Sequence, residues 1–84
     1  MYSYLFDPAA LKDLKKFPDY IQVVILQKLE YFITSDEPLF FAKKLKHSEL
    51  GSYRFRIGDY RAIFDIRGNT IIILRIGHRR EIYK

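Results

Sequence analysis

The stretch Gly51–Tyr83, GSYRFRIGDYRAIFDIRGNTIIILRIGHRREIY, carries the reading of this 84-residue chain. It contains three β-type runs, about 51–57, 60–66 and 70–76, separated by Gly58-Asp59 and Arg67-Gly68-Asn69. Glycine and asparagine tolerate the positive φ of tight hairpins and aspartate supplies turn hydrogen bonds, so the runs predict an antiparallel meander. Side chains alternate along a strand, which sends Tyr53, Phe55 and Ile57 to one face and Arg54 and Arg56 to the other. Two rises of ~3.3 Å put those arginines about 7 Å apart. In the second run Ala62, Phe64 and Ile66 suit the core, leaving Arg61 on the arginine face. The third run is apolar on both parities, as a strand covered on both faces would be, and its register depends on the length of the preceding turn. Gly77 is expected to end it, with Gly77-His78-Arg79-Arg80 bringing a further basic cluster near the exposed surface.

Working back from this stretch, Tyr2 to Phe6 is long enough for one strand, and Asp7-Pro8 stops it. Asp7 is an N-cap and Pro8 a first-turn residue, because a carboxylate accepts orphan amides and proline loses nothing there. A short helix follows, with Ala10, Leu11, Leu14 and Phe17 along one side. Pro18 closes it and opens a second helix from Asp19 to about Thr34, where Ile21, Val24, Ile25, Leu29, Phe32 and Ile33 recur at helical spacing and read as core. Leu39 to Glu49 is a connector, partly helical or extended, that contains Lys43, Lys44 and Lys46. Strand, helical hairpin and three-stranded antiparallel meander make one α+β domain spanning residues 1–84, with its sheet packed on two helices.

Charge divides the chain in two. All seven arginines lie in residues 51–84, which with Lys84 hold eight basic against three acidic residues, whereas residues 1–50 balance seven lysines with seven acids. The formal net charge of +5 is therefore that of the second half. Arginine is the side chain best suited to gripping phosphate at two points, so the sheet's open face reads as a polyanion-binding surface, flanked by Lys43, Lys44 and Lys46. The competing reading is a solvated polar face, the usual state of one side of an antiparallel sheet. His78 is a proton-transfer candidate by its near-neutral pKa, set against a merely solvated loop histidine. Tyr83 is a candidate for stacking on a base, set against packing the chain end.

The absence of cysteine excludes disulfides and thiolate metal sites, and two histidines far apart make a zinc site a poor reading, so no metal or cofactor is expected. No run approaches the ~18 apolar residues needed to span a bilayer, and the N-terminus lacks a signal-peptide pattern, so a cytoplasmic protein without a membrane partner is expected.

The run AKKLKHSELGSYRFRIGDYRAIFDI followed by LRIGHRREIY resembles the RelE/ParE superfamily of bacterial and archaeal toxins, and the resemblance covers nearly the whole chain. It implies the RelE-like fold, a microbial-RNase-like sheet on two helices, and sits closer to the RelE branch, whose members are mRNA interferases cutting messenger RNA in the ribosomal A site. Carried over residue by residue, the implied catalytic set is Arg54, Arg56, Arg61, Arg79 and Tyr83, with Lys43, Lys44, Lys46, Arg80 and Lys84 as RNA-binding residues. The implied reaction is metal-independent attack of a 2′-hydroxyl on the adjacent phosphate. One departure matters: studied members carry lysines where this chain has Arg54 and Arg56. Arginine does not lose its proton in proteins, so these two stabilise charge, and His78 and Glu81 are the acid/base candidates, unless a ribosomal group substitutes. The resemblance also implies an antitoxin partner in a hetero-oligomer, and the 30S A site with mRNA as target. The alternative is a ParE-like DNA gyrase inhibitor without nuclease activity, and a third reading is an inactive relic that still binds RNA or antitoxin.

Overall fold

A computed structural model describes residues 1–46 and 48–83. The elements run β1 (Ser3–Phe6), α1 (Pro8–Lys15), α2 (Asp19–Thr34), a 3-10 turn (Pro38–Phe41), β2 (Ala42–Lys44), β3 (Tyr53–Ile57), β4 (Tyr60–Arg67) and β5 (Thr70–His78). The α+β class is as expected from the sequence. Local chemistry explains the helix ends: Asp7 Oδ1 accepts the Ala9 N–H at 2.9 Å, Pro8 occupies the first turn, and Pro18 separates the helices. Gly58 and Gly68 both sit at φ 58°, the left-handed conformation their hairpins demand.

The sheet is larger than a meander plus one strand. Among the described residues it has five strands in the order β1-β5-β4-β3-β2. The connector supplies the short β2, antiparallel to β3, and β1 pairs in parallel with the first half of β5, Ser3 opposite Thr70 and Phe6 opposite Ile73. β5 itself runs through Gly77 to His78, so that glycine does not end the strand. Between Ile63 and Phe64 the β5 partner jumps from Arg75 to Ile73, leaving Leu74 as an extra residue, a β-bulge. The bulge accounts for the ambiguous alternation of IIILRI: Ile71, Ile73 and Ile76 all join the helix-side core although their spacing is uneven.

Both helices pack on one face. Phe32 of α2 meets Phe55 with ring centroids 5.2 Å apart, Phe55 stacks on Phe64 at 4.3 Å, and Phe17 meets Tyr60 edge-on at 5.1 Å. Ile25, Leu29 and Ile33 fill the space beneath and are fully buried. The helices are less thoroughly core than their apolar spacing suggests. Leu11 of α1 stays exposed, as do Tyr20, Val23, Val24, Leu26 and Tyr31 of α2, whose outer side no other described residues cover.

The opposite face is only partly open. Residues 45–46 and 48–52 fold across it: Leu45 N–H donates to Ser52 O at 2.9 Å, and Ser52 N–H donates to Asp65 Oδ1 at 2.7 Å. Gly51 then lies so close over the sheet that a Cβ there would stand 2.7 Å from Ile63 Cγ2 and 3.0 Å from Leu74 Cδ1. Ile63 is fully buried as a result, on the face opposite the helices.

Candidate functional site

What the connector leaves uncovered is the end of the sheet that carries the arginines. Arg56 of β3 lies directly opposite Arg61 of β4, which in turn lies opposite Gly77 of β5. One row along, Arg54 pairs with Lys43 of β2 on one side and with buried Ile63 on the other. Period-two alternation therefore puts Lys43, Arg54, Arg56 and Arg61 on one face, pointing away from the Phe55–Phe64 core. Arg61 Nη1 donates to the carbonyls of Gly58 and Tyr60, each at 2.9 Å. Partial burial, followed by the like charges of Arg54, Arg56 and Arg79, lowers the Arg61 pKa from its ordinary value, with Tyr83 acting the other way. Four guanidinium groups and one phenol thus meet at this end of the sheet.

Arg79 arrives from the segment after β5. Its N–H donates to Asp59 O at 2.7 Å, and its Nε lies 3.5 Å from Asp59 Oδ1. A single turn follows, in which the Glu81 and Ile82 amides donate to His78 O, and Tyr83 ends the described chain half exposed. Ile82 seats on Gly77, where a Cβ would come within 3.1 Å of its Cδ1.

The acid/base candidates lie elsewhere. His78 is opposite Tyr60 across the β4–β5 ladder, on the helix side, and their rings meet edge-on at 5.6 Å. Its Nδ1 accepts the Arg80 N–H at 3.1 Å. His78 and Glu81 line a pocket of about 260 Å³ at the free edge of β5, beside Phe17, Asp13 and Arg75. The arginine cluster does not include them. Lys44 falls opposite Tyr53, off the arginine parity, Lys46 and Arg80 are exposed, and Lys84 lies outside the described residues. Among the described residues no group of three or more His, Cys, Asp or Glu could hold a metal ion, and no helix is long and apolar enough to cross a membrane.

A family model described as the ParE toxin of type II toxin–antitoxin systems, parDE, matches residues 4–83. The chain belongs to this toxin family. The toxin is 33% identical to Toxin RelG of Mycobacterium tuberculosis (strain ATCC 25618 / H37Rv) over 85 residues, covering 99% of this chain and 97% of that one. It is also 33% identical to Toxin RelE3 of Methanocaldococcus jannaschii, covering 94% and 92% of the two chains. A solved relative, in the toxin–antitoxin complex RelBE2 from Mycobacterium tuberculosis, superposes with a TM-score of 0.78 at 32% identity, covering 93% of this chain and 98% of that one. The toxin is thus of the RelE/ParE type, with relatives named for the RelE branch and a family model named for ParE.

One feature of the toxin escaped the strand-by-strand reading. Asp13, in the last turns of α1, is buried, and its carboxylate accepts Arg75 Nε at 2.8 Å, Arg75 Nη2 at 3.0 Å and the Ile76 N–H at 3.0 Å. This caps the stretch of β5 that β1 leaves unpaired. It also withdraws Arg75 from the set of arginines free for a ligand. The partners are 62 residues apart in sequence, and no local pattern connects them.

Proposed function

We propose that the toxin is a ribosome-dependent endoribonuclease that cuts messenger RNA in the A site and is held inactive by a cognate antitoxin. The observation that carries this reading is the meeting of Arg54, Arg56, Arg61 and Arg79 at one end of the sheet, with Arg56 and Arg61 directly opposed. Like charges in that relation destabilise a sheet, so the arrangement suits a bound anion of high charge density. A phosphodiester passing through a phosphorane is such an anion. The RelE names of the two curated relatives point the same way.

In the reaction the 2′-oxygen bonds to phosphorus and the bond to the 5′-oxygen breaks. The 2′-hydroxyl proton goes to a base, and the leaving oxygen takes up a proton, giving a 2′,3′-cyclic phosphate and a 5′-hydroxyl. Guanidinium groups stay protonated, so the four arginines stabilise charge on the phosphorane rather than move protons. Tyr83 stacks on or orients the substrate base. Lys43 extends the cationic track beside Arg54, and Lys44, Lys46 and Arg80 add charge around it. With His78 and Glu81 turned toward the β5 edge, the proton acceptor is taken from the ribosome. A cationic face of this kind fits an acidic antitoxin segment, in keeping with the complex in which the M. tuberculosis relative was solved. The target makes the toxin's place of action the cytoplasm.

A second reading, gyrase inhibition without cleavage, draws on the ParE name of the matching family model and on arginine standing where a titratable lysine would serve a nuclease. Primer extension on a defined message in a reconstituted translation system, with and without ribosomes, separates the two. Cuts inside the A-site codon that require ribosomes are expected, and Arg61→Ala combined with Arg79→Ala should lower the cleavage rate by roughly 10²-fold or more. Survival of cleavage in that double variant rejects the arginine site. Intact message together with gyrase-dependent DNA breaks establishes the second reading.

A further inference from the structure

The turn joining β3 to β4 holds two arginines at once. The carbonyls of Gly58 and Tyr60 both accept Arg61 Nη1, and the carbonyl of Asp59, between them, accepts the Arg79 N–H. The Asp59 carboxylate adds a contact to the Arg79 side chain, Oδ1 to Nε at 3.5 Å. Arg61 and Arg79 come from different segments, and this turn is where they are brought together.

The Asp59–Arg79 pair is a poor staple for the fold, since its side chains are 67% and 51% exposed and pairs of that kind contribute little to stability. It is also an acid beside a cluster whose charge would otherwise attract a polyanion more strongly. Orientation explains it better. A guanidinium offers two forked edges, one through Nε and one through its two Nη atoms. Asp59 meets the Nε side, which leaves the Nη edge for a phosphate.

We infer that Asp59 is a positioning residue, whose carboxylate and backbone carbonyl orient Arg79 beside Arg61 for a shared phosphate. This rests on the phosphate-binding role proposed for Arg79. Asp59→Asn keeps the size and the backbone carbonyl while removing the charge. In the ribosome-dependent cleavage assay it should lower kcat roughly 10-fold, as misorientation does, with KM unchanged or lower because the face becomes more cationic. Asp36→Asn, an identical charge change just beyond α2, should alter neither constant, and Asp59→Glu should recover part of the loss.

An unchanged kcat in Asp59→Asn overturns the inference. So does a loss of about 10³-fold or more, which would make Asp59 a proton-transfer group instead. If the wild-type protein cuts no message, the nuclease reading fails by itself, and nitrogen-15 NMR of the arginine side chains decides the positioning question. Asp59→Asn should shift the Arg79 Nε–H resonance and speed its exchange with water while leaving Arg54 and Arg56 unaltered. An unmoved Arg79 resonance in a folded variant overturns the inference on that evidence alone.

Discussion

The sheet's outer face is two surfaces that share three strands. At one end Ile63 and Leu74 lie beneath the connector at Gly51, and Ile63 is as thoroughly buried as any residue of the helix-side core. At the other end, two residues along the same β3 and β4 strands, Arg56 and Arg61 face each other, Arg56 exposed and Arg61 half-buried beside Arg79 and Tyr83. The covered end contributes stability through buried apolar area, and the arginine end subtracts from it through repulsion. Under the proposed function the cationic end is kept for a ligand, at a cost that burial at the covered end offsets.

The comparison can be broken at four points. Ile63→Ala should cost about 2–5 kcal/mol in denaturant unfolding, since it opens a cavity under the connector. Unfolding at the wild-type midpoint would mean that this end is as open as the other. Gly51→Ala places a methyl group 2.7 Å from Ile63 Cγ2, an overpacking expected to cost roughly 1–3 kcal/mol in the same measurement.

Asp13→Asn tests the edge that bounds both surfaces. Burial raises the Asp13 pKa, but hydrogen bonds from Arg75 and the Ile76 amide, with the charges of Arg75 and Lys16, outweigh it and hold the carboxyl below its ordinary 3.8. A depressed folded-state value contributes stability that is complete above the unfolded pKa and is lost as pH falls through the folded one. Wild-type melting should therefore show an acid-dependent loss beginning near pH 4 that Asp13→Asn lacks, and the variant should be less stable by about 1–2 kcal/mol at neutral pH. Parallel pH profiles of the two proteins would remove Asp13 from this role. The smallest effect belongs to the other surface: Arg56→Gln relieves a like-charge pair and should raise stability by a few tenths of a kcal/mol while weakening RNA cleavage. A variant that is both less stable and fully active would contradict the division of the face.

Much of the fold was legible because its signals are local. Asp7-Pro8 and Pro18 delimit α1, α2 spans Asp19–Thr34 as its periodicity indicates, and the glycines of both hairpins take the positive φ their turns require. Within β3 and β4, alternation alone placed Arg54, Arg56 and Arg61 on one side. The bulge at Leu74 was beyond that reasoning, since it arises where two strands of unequal demand are zipped together. So was His78, whose side follows from the ladder opposite Tyr60 and not from the strand end assumed at Gly77.

The sequence by itself determined the helices, the hairpins, the α+β class and the arginine side of two strands, because propensity, capping and period-two alternation act within a few residues. Only the tertiary structure decided that β1 lies parallel to β5, that the chain at Gly51 covers Ile63 and Leu74 on the outer face, that Asp13 takes Arg75 out of the cationic set, and that one turn joins Arg61 to Arg79. These depend on contacts between residues far apart in the chain, chosen by which surfaces fit when the sheet closes on its helices, and no local pattern encodes that choice.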